Sequence, residues 1–195
     1  MNALDIIQDE IKTCRLCKLS ENRNNAVPGE GATEASILFI GEGPGAQEDL
    51  QGKPFVGASG KVLKERLESI GMSRKEVYIT NIVKCRPPNN RPPQDEEIES
   101  CKPYLERQIE LIKPKLICIL GRTALEVLLN KKPISKERGN FFEHDGKTFF
   151  VTYHPAAVLH NPNLRDILDQ DFSTMRKWLE KSEKTKRTIL DFLTD

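Results

Sequence analysis

Unbroken apolar runs and helically spaced apolar positions alternate along this chain. The runs are short: residues 37–40, 77–84 and 115–121, the first meeting Gly41 and the last ending in Gly121. Short apolar runs bounded by turn formers predict strands buried on both faces, as in a parallel sheet. Between them apolar residues recur every three or four positions. Leu4, Ile6, Ile7 and Ile11 predict a helix over residues 3–12. Ser59 caps a second helix that stops before Gly71, Asp95 opens a third that bends at Pro103 and reaches residue 113, and Thr123 opens a fourth ending at residue 129. Asn163 caps the last long helix, whose stripe is Leu164, Ile167, Leu168, Phe172, Met175, Trp178 and Leu179. Residues 141–153 read as two strands joined at Asp145-Gly146, a hairpin turn pair. Loops fill the rest: residues 18–35, the Gly- and Pro-rich residues 41–59, a stretch stiffened by Pro87, Pro88, Pro92 and Pro93, and residues 154–162. Residues 184–195 read as a further amphipathic or frayed segment.

Strands alternating with helices predict a three-layer α/β/α sandwich around a mainly parallel sheet. Ligands of such sheets sit beyond the carboxyl ends of the strands. Three loops leave the predicted sheet at that edge, starting at Gly41, Asn81 and His154. No repeat or linker interrupts the pattern, so residues 1–195 are expected to form a single domain.

Thirty Lys and Arg against 29 Asp and Glu leave a net charge of +1. Binding to a polyanion by bulk charge is thereby excluded; nucleic-acid contact has to come from a local patch. No apolar run approaches the length that crosses a bilayer, and the first ten residues lack the basic start and apolar stretch of a secretory signal. The expected setting is cytoplasmic, with no membrane contact. Five Cys in that reducing compartment read as metal ligands, reactive thiols or buried hydrophobes rather than a disulfide framework.

Cys14 and Cys17 form a C-x-x-C pair, which can present two thiolates to one metal, and Cys85 and Cys101 can complete a tetrahedral set. Four thiolates suit structural zinc or a [4Fe–4S] cluster equally, and spacing does not separate them. A thioredoxin-like redox pair fits less well, because the motif here precedes every predicted strand. Cys118, inside an apolar strand, reads as a small buried hydrophobe.

The loop from Gly41 to Asp49 follows a strand but lacks the Gly-Lys-Ser/Thr of a phosphate-binding loop and the third Gly of a dinucleotide fingerprint. Its acids, Glu42, Glu48 and Asp49, would repel phosphates. They suit a water-handling site, or else are solvated acids of a surface turn. Phe55, between Pro54 and Gly57, can lie against a planar ligand or serve as plain core. His154 stands at a strand end between Tyr153 and Pro155, and Leu159 sits in a Pro-bounded loop where it is either a wedge for DNA or packing under the last helix.

Four motifs in order, with the Cys set, carry a resemblance: Gly41-Glu42-Gly43-Pro44-Gly45 with Glu48-Asp49, Gly52-Lys53-Pro54-Phe55-Val56-Gly57, residues 80–88 from Thr80-Asn81 to Pro87-Pro88, and His154-Pro155 through Asn161-Pro162. Together they resemble the family 4 uracil-DNA glycosylases, the iron–sulfur branch of that superfamily. The resemblance implies a central four-stranded parallel sheet and an N-terminal segment pinned by a [4Fe–4S] cluster on Cys14, Cys17, Cys85 and Cys101. It implies a monomeric DNA repair enzyme that flips uracil out of single- or double-stranded DNA and hydrolyses its N-glycosidic bond. The strand is left uncut with an abasic site for downstream repair enzymes, since no Lys stands out as a Schiff-base nucleophile.

By the same resemblance, Phe55 stacks on the flipped ring, Asn81 reads its edge and His154 bonds its O2, with the backbone at Glu42 and Gly43 closing the pocket. The best-known branch has an Asp where this chain has Gly43, and a bulky aromatic where it has Gly45. Glu42, and after it Glu48, are therefore the candidates to hold or deprotonate water. Leu159 or His160 probes the DNA, while Lys84, Arg86, Arg91 and Lys102 offer charge to phosphates. The alternatives are a non-catalytic iron–sulfur or zinc DNA-binding module on the same fold, and a metal-stapled nucleotide-binding or redox protein.

Overall fold

The computed structural model describes residues 2–194, with side chains as far as Ser182. Helix α1 (Ala3–Thr13) is capped by Asn2, whose Oδ1 accepts from the Asp5 N–H at 2.8 Å while the Asp5 carboxylate accepts from the Asn2 N–H at 2.8 Å. The chain then forms β1 (Glu30–Gly31), β2 (Ile37–Gly41), α2 (Ala46–Gln51), α3 (Ala58–Ser69), β3 (Tyr78–Asn81) and α4 (Asp95–Ile112). After these come β4 (Leu116–Leu120), α5 (Arg122–Leu129), α6 (Ile134–Glu137), β5 (Phe141–His144), β6 (Lys147–Thr152), α7 (Ala156–His160) and α8 (Arg165–Thr194).

The sheet runs β1-β3-β2-β4-β6-β5. The inner four strands are parallel, as expected, and antiparallel β1 and β5 extend the sheet to six. β5 turns into β6 through Asp145 and Gly146, both at positive φ (48° and 68°), the pair a tight hairpin requires. Alternation along β2 divides the core. Leu38 and Ile40 face α1, α4 and α5, whereas Ile37 and Phe39 face α3 and α8, where Phe39 stacks on Phe172 with ring centroids 6.0 Å apart. Three layers result, and every residue of β2 and β4 is buried.

Several boundaries depart from expectation for local reasons. Residues 46–51 are a helix inside the expected loop, because Glu48 and Asp49 turn inward as anchors; Asp49 accepts from the backbone and side chain of Asn24. Those two acids are buried, not solvated. Ser59 does not cap α3. Gly57 is its N-cap, and the Glu48 carboxylate fixes the entry to the helix by accepting from the N–H groups of Val56 and Gly57 at 2.9 and 2.8 Å. β3 stops at Asn81, three residues early, because Lys84 bends back onto the Asn81 carbonyl. The segment after His154 is helical in α7, and α8 starts at Arg165 after a 3₁₀ turn over Pro162–Leu164. Of the expected amphipathic or frayed segment, residues 184–194 continue α8; residue 195, and the faces these side chains present, lie outside the described residues. Among the described residues no helix is long and apolar enough to cross a membrane.

Candidate functional site

The strands β3, β2, β4 and β6 are neighbours in the sheet, so their carboxyl ends lie side by side. Beyond them opens a cleft of about 400 Å³. Glu42, Gly43 and Glu48 enter it after β2, Asn81 from the end of β3, Thr123 after β4, and His154 and His160 after β6, while Phe55 reaches in from the loop between α2 and α3. Four strand ends build the wall, one more than the sequence indicated.

Asn81 is 1% exposed and its Oδ1 has no hydrogen-bond partner. A buried acceptor left unpaired costs about 1–3 kcal/mol. Packing enforces the position: a Cβ on Gly41 would stand 2.5 Å from Asn81 Oδ1 and 2.8 Å from Phe55 Cζ. Glycine there lets the amide and the aromatic ring approach the same point.

Phe55 is buried and held at φ +50°, a conformation that L side chains rarely adopt. Three groups grip it. Arg74 donates from Nη1 to the Phe55 carbonyl at 2.9 Å and from Nη2 to the Pro54 carbonyl at 2.7 Å, while also pairing with Glu30. Glu48 holds the next two N–H groups. Gly60 has no room for a side chain, since a Cβ would meet the Phe55 carbonyl oxygen at 1.9 Å.

The His154 ring lies 5.4 Å from that of Phe55, tilted by 30°. Its Nδ1 accepts from the Ala156 N–H at 3.1 Å. That bond leaves Nδ1 bare and places the ring proton on Nε2. Burial pushes the His154 pKa down to about 4, against the opposing pull of the Glu48 charge. At neutral pH the side chain is therefore an uncharged Nε2–H donor. Gly121, at φ +94°, gives way to it: a Cβ there would be 2.8 Å from His154 Cβ. Glu42 is half-buried and accepts from the Thr123 hydroxyl.

Leu159 sits on α7 and is 49% exposed, and His160 beside it is also exposed. Arg86 donates from Nε to Asn90 Oδ1 at 2.8 Å. Arg91 is held by a bidentate pair with Glu97 at the start of α4. Lys84 is the one expected phosphate contact that the structure removes. It is 2% exposed, and its Nζ donates to Thr80 Oγ1, the Asn81 carbonyl and Gln108 Oε1 at 2.7–2.8 Å. A buried ammonium needs such partners, and this one has no route to a phosphate.

Cys14, Cys17, Cys85 and Cys101 line one small cavity, and no His, Asp or Glu shares it. Arg23 donates from Nη1 to Cys85 Sγ at 3.0 Å, and the backbone N–H of Lys84 reaches Cys101. Burial pushes the Cys101 thiol up to about 11 and raises Cys17 and Cys85 as well. Among the described residues no three such side chains already close on a common point. Cys118 lies apart, fully buried in β4.

Thr123, Gly121, Arg74 and Gly60 are the functional neighbours that the sequence reading missed. Gly121 was visible only as a strand terminator, and Arg74 carries no local signal because its partners lie about 20 residues before it.

Residues 28–186 match the family model described as the Uracil DNA glycosylase superfamily. The chain is similar to a protein of Sulfurisphaera tokodaii named type-4 uracil-DNA glycosylase, with 47% identity over 98% of this chain and 90% of the relative. Relatives of the same name from Saccharolobus solfataricus and Archaeoglobus fulgidus are each 48% identical, over 97% and 99% of this chain and 93% and 100% of their own. With a family model spanning most of its length and about half of its positions shared with these relatives, the chain belongs to the uracil-DNA glycosylase superfamily, on the type-4 branch.

Proposed function

We propose that this chain removes uracil from DNA by hydrolysing its N-glycosidic bond and leaves an abasic site. The buried, unpaired Oδ1 of Asn81 supports this reading most directly. Uracil offers an N3–H donor to that oxygen and an O4 acceptor to the Asn81 NH₂ group. Cytosine presents the opposite polarity at both atoms, so buried polar groups would be left unpaired, the strong form of discrimination. The base has to leave the helical stack to reach the cleft, and Phe55 offers it an aromatic face. Exposed Leu159 is suited to fill the gap left in the stack, with His160 at the same rim.

Bond cleavage puts negative charge on the departing uracil and positive charge on the sugar. The neutral His154 donates from Nε2 toward O2, where the anion develops. The Glu42 carboxylate holds the attacking water and faces the sugar cation. Glu48, whose Oε1 accepts from two backbone N–H groups, orients the Phe55 segment and lends its charge to the His154 environment.

The all-sulfur donor set fits a [4Fe–4S] cluster on Cys14, Cys17, Cys85 and Cys101. When bound it supplies covalent cross-linking of the N-terminal segment to α4 and to the loop after β3. Arg23, donating to Cys85, compensates thiolate charge in that buried setting.

The test is release of free base from matched oligonucleotides carrying U, T or C, in single and double strands. Uracil alone should be released, and Asn81→Ala and His154→Ala should each abolish most of the release. DNA binding without base release would favour the non-catalytic DNA-binding module instead.

A further inference from the structure

Thr123 belongs to none of the motifs that carry the family resemblance, yet it reaches the Glu42 carboxylate from the fourth strand end. Its Oγ1 donates to Glu42 Oε2. The two residues lie 81 apart in sequence, and both line the cleft. The turn carrying Thr123 is itself fixed, because Gly121 packs against His154 and its N–H donates to the Thr152 carbonyl at 3.0 Å. The backbone of Glu42 is likewise held, its carbonyl accepting from the Val83 N–H at 3.2 Å. A glutamate side chain has three rotatable bonds, and a carboxylate that serves water has to present one oxygen in one direction.

We propose that Thr123 is the positioning residue for Glu42. Its hydroxyl occupies Oε2 and so turns Oε1 toward the water and the sugar. This rests on the assignment of Glu42 as the water-holding group. The Gly43 position has no side chain to share the task, so the orientation of this single carboxylate has to come from a neighbour.

The experiment compares wild type, Thr123→Val, Thr123→Ser, Glu42→Gln and the Glu42→Gln/Thr123→Val double variant on a uracil-containing single strand. Valine keeps the shape of threonine without the donor; melting temperatures check that each variant is folded. Loss of one hydrogen bond to a charged group predicts a kcat lower by roughly tenfold to a hundredfold for Thr123→Val, with KM unchanged. Thr123→Ser should recover most of the rate. In the Glu42→Gln background Thr123→Val should cost little more, because its effect runs through the carboxylate. Equal fold losses in both backgrounds, a change in KM alone, or full activity of Thr123→Val would each overturn the proposal. An unimpaired Glu42→Gln would instead overturn the assignment of Glu42, and the role of Thr123 with it.

Discussion

Asn81 and Lys84 stand three residues apart and are almost equally buried, at 1% and 2% exposure, yet their polar atoms meet opposite fates. Lys84 has three acceptors around one ammonium. Asn81 keeps a carbonyl oxygen with none. Lys84 even spends one bond on the backbone carbonyl of Asn81, so the satisfied residue steadies the unsatisfied one. Polar groups that serve only the fold are paired at folding, whereas one that awaits a ligand is paired when the ligand arrives.

That contrast can be broken by substitution. The largest effect on turnover is expected from His154→Ala, since removing a donor to a developing anion lowers kcat by roughly a hundred- to a thousandfold; single-turnover release of uracil measures it. Asn81→Ala should follow, with comparable loss on uracil but a melting temperature unchanged or raised, because an unpaired buried acceptor disappears with it. Lys84→Met should do the reverse to stability, lowering it by roughly 3 kcal/mol, as the acceptors around Nζ are orphaned at about 1–3 kcal/mol each. Denaturant unfolding of the two variants side by side tests the comparison directly; an equal loss in both would remove it. Loss of the proposed cluster on chelation, or Cys101→Ser, should lower the melting temperature and expose residues 14–23 to proteolysis, without reversing the preference for uracil over cytosine.

Smaller effects sharpen the picture. His154 has a folded pKa near 4, below its ordinary 6.5. The unfolded chain therefore binds the extra proton first, and stability falls as pH drops from 6.5 toward 4. The His154 share of that slope is at most about 1.4 kcal/mol per pH unit. Unfolding of His154→Ala across that window should show a shallower slope than wild type. Leu159→Ala should reduce activity a few-fold on duplex DNA and less on single strands, with an unchanged melting temperature, since the side chain is exposed.

Much of this was written in the order of the residues. The apolar runs at 37–40 and 115–121 are strands because continuous burial on both faces needs apolar side chains at every position. The Asp145-Gly146 pair announces its hairpin because few residue pairs accept two positive φ values. Asn81, His154 and Glu42 were legible as candidates because each ends or follows a strand, and Phe55 because it stands between Pro54 and Gly57. What the chain order could not carry was contact across it. The edge strand β1, two residues long, is too short to stand out. The inward turn of Glu48 and Asp49 depends on N–H groups that lie from 8 to 25 residues away. Lys84 read as a surface cation until three acceptors closed on it. The hydroxyl of Thr123 on Glu42 exists only because β2 and β4 are neighbours. Local pattern and turn chemistry act through adjacent residues and so are visible in sequence; the pairing of buried polar groups acts through space, and only the assembled sheet decides it.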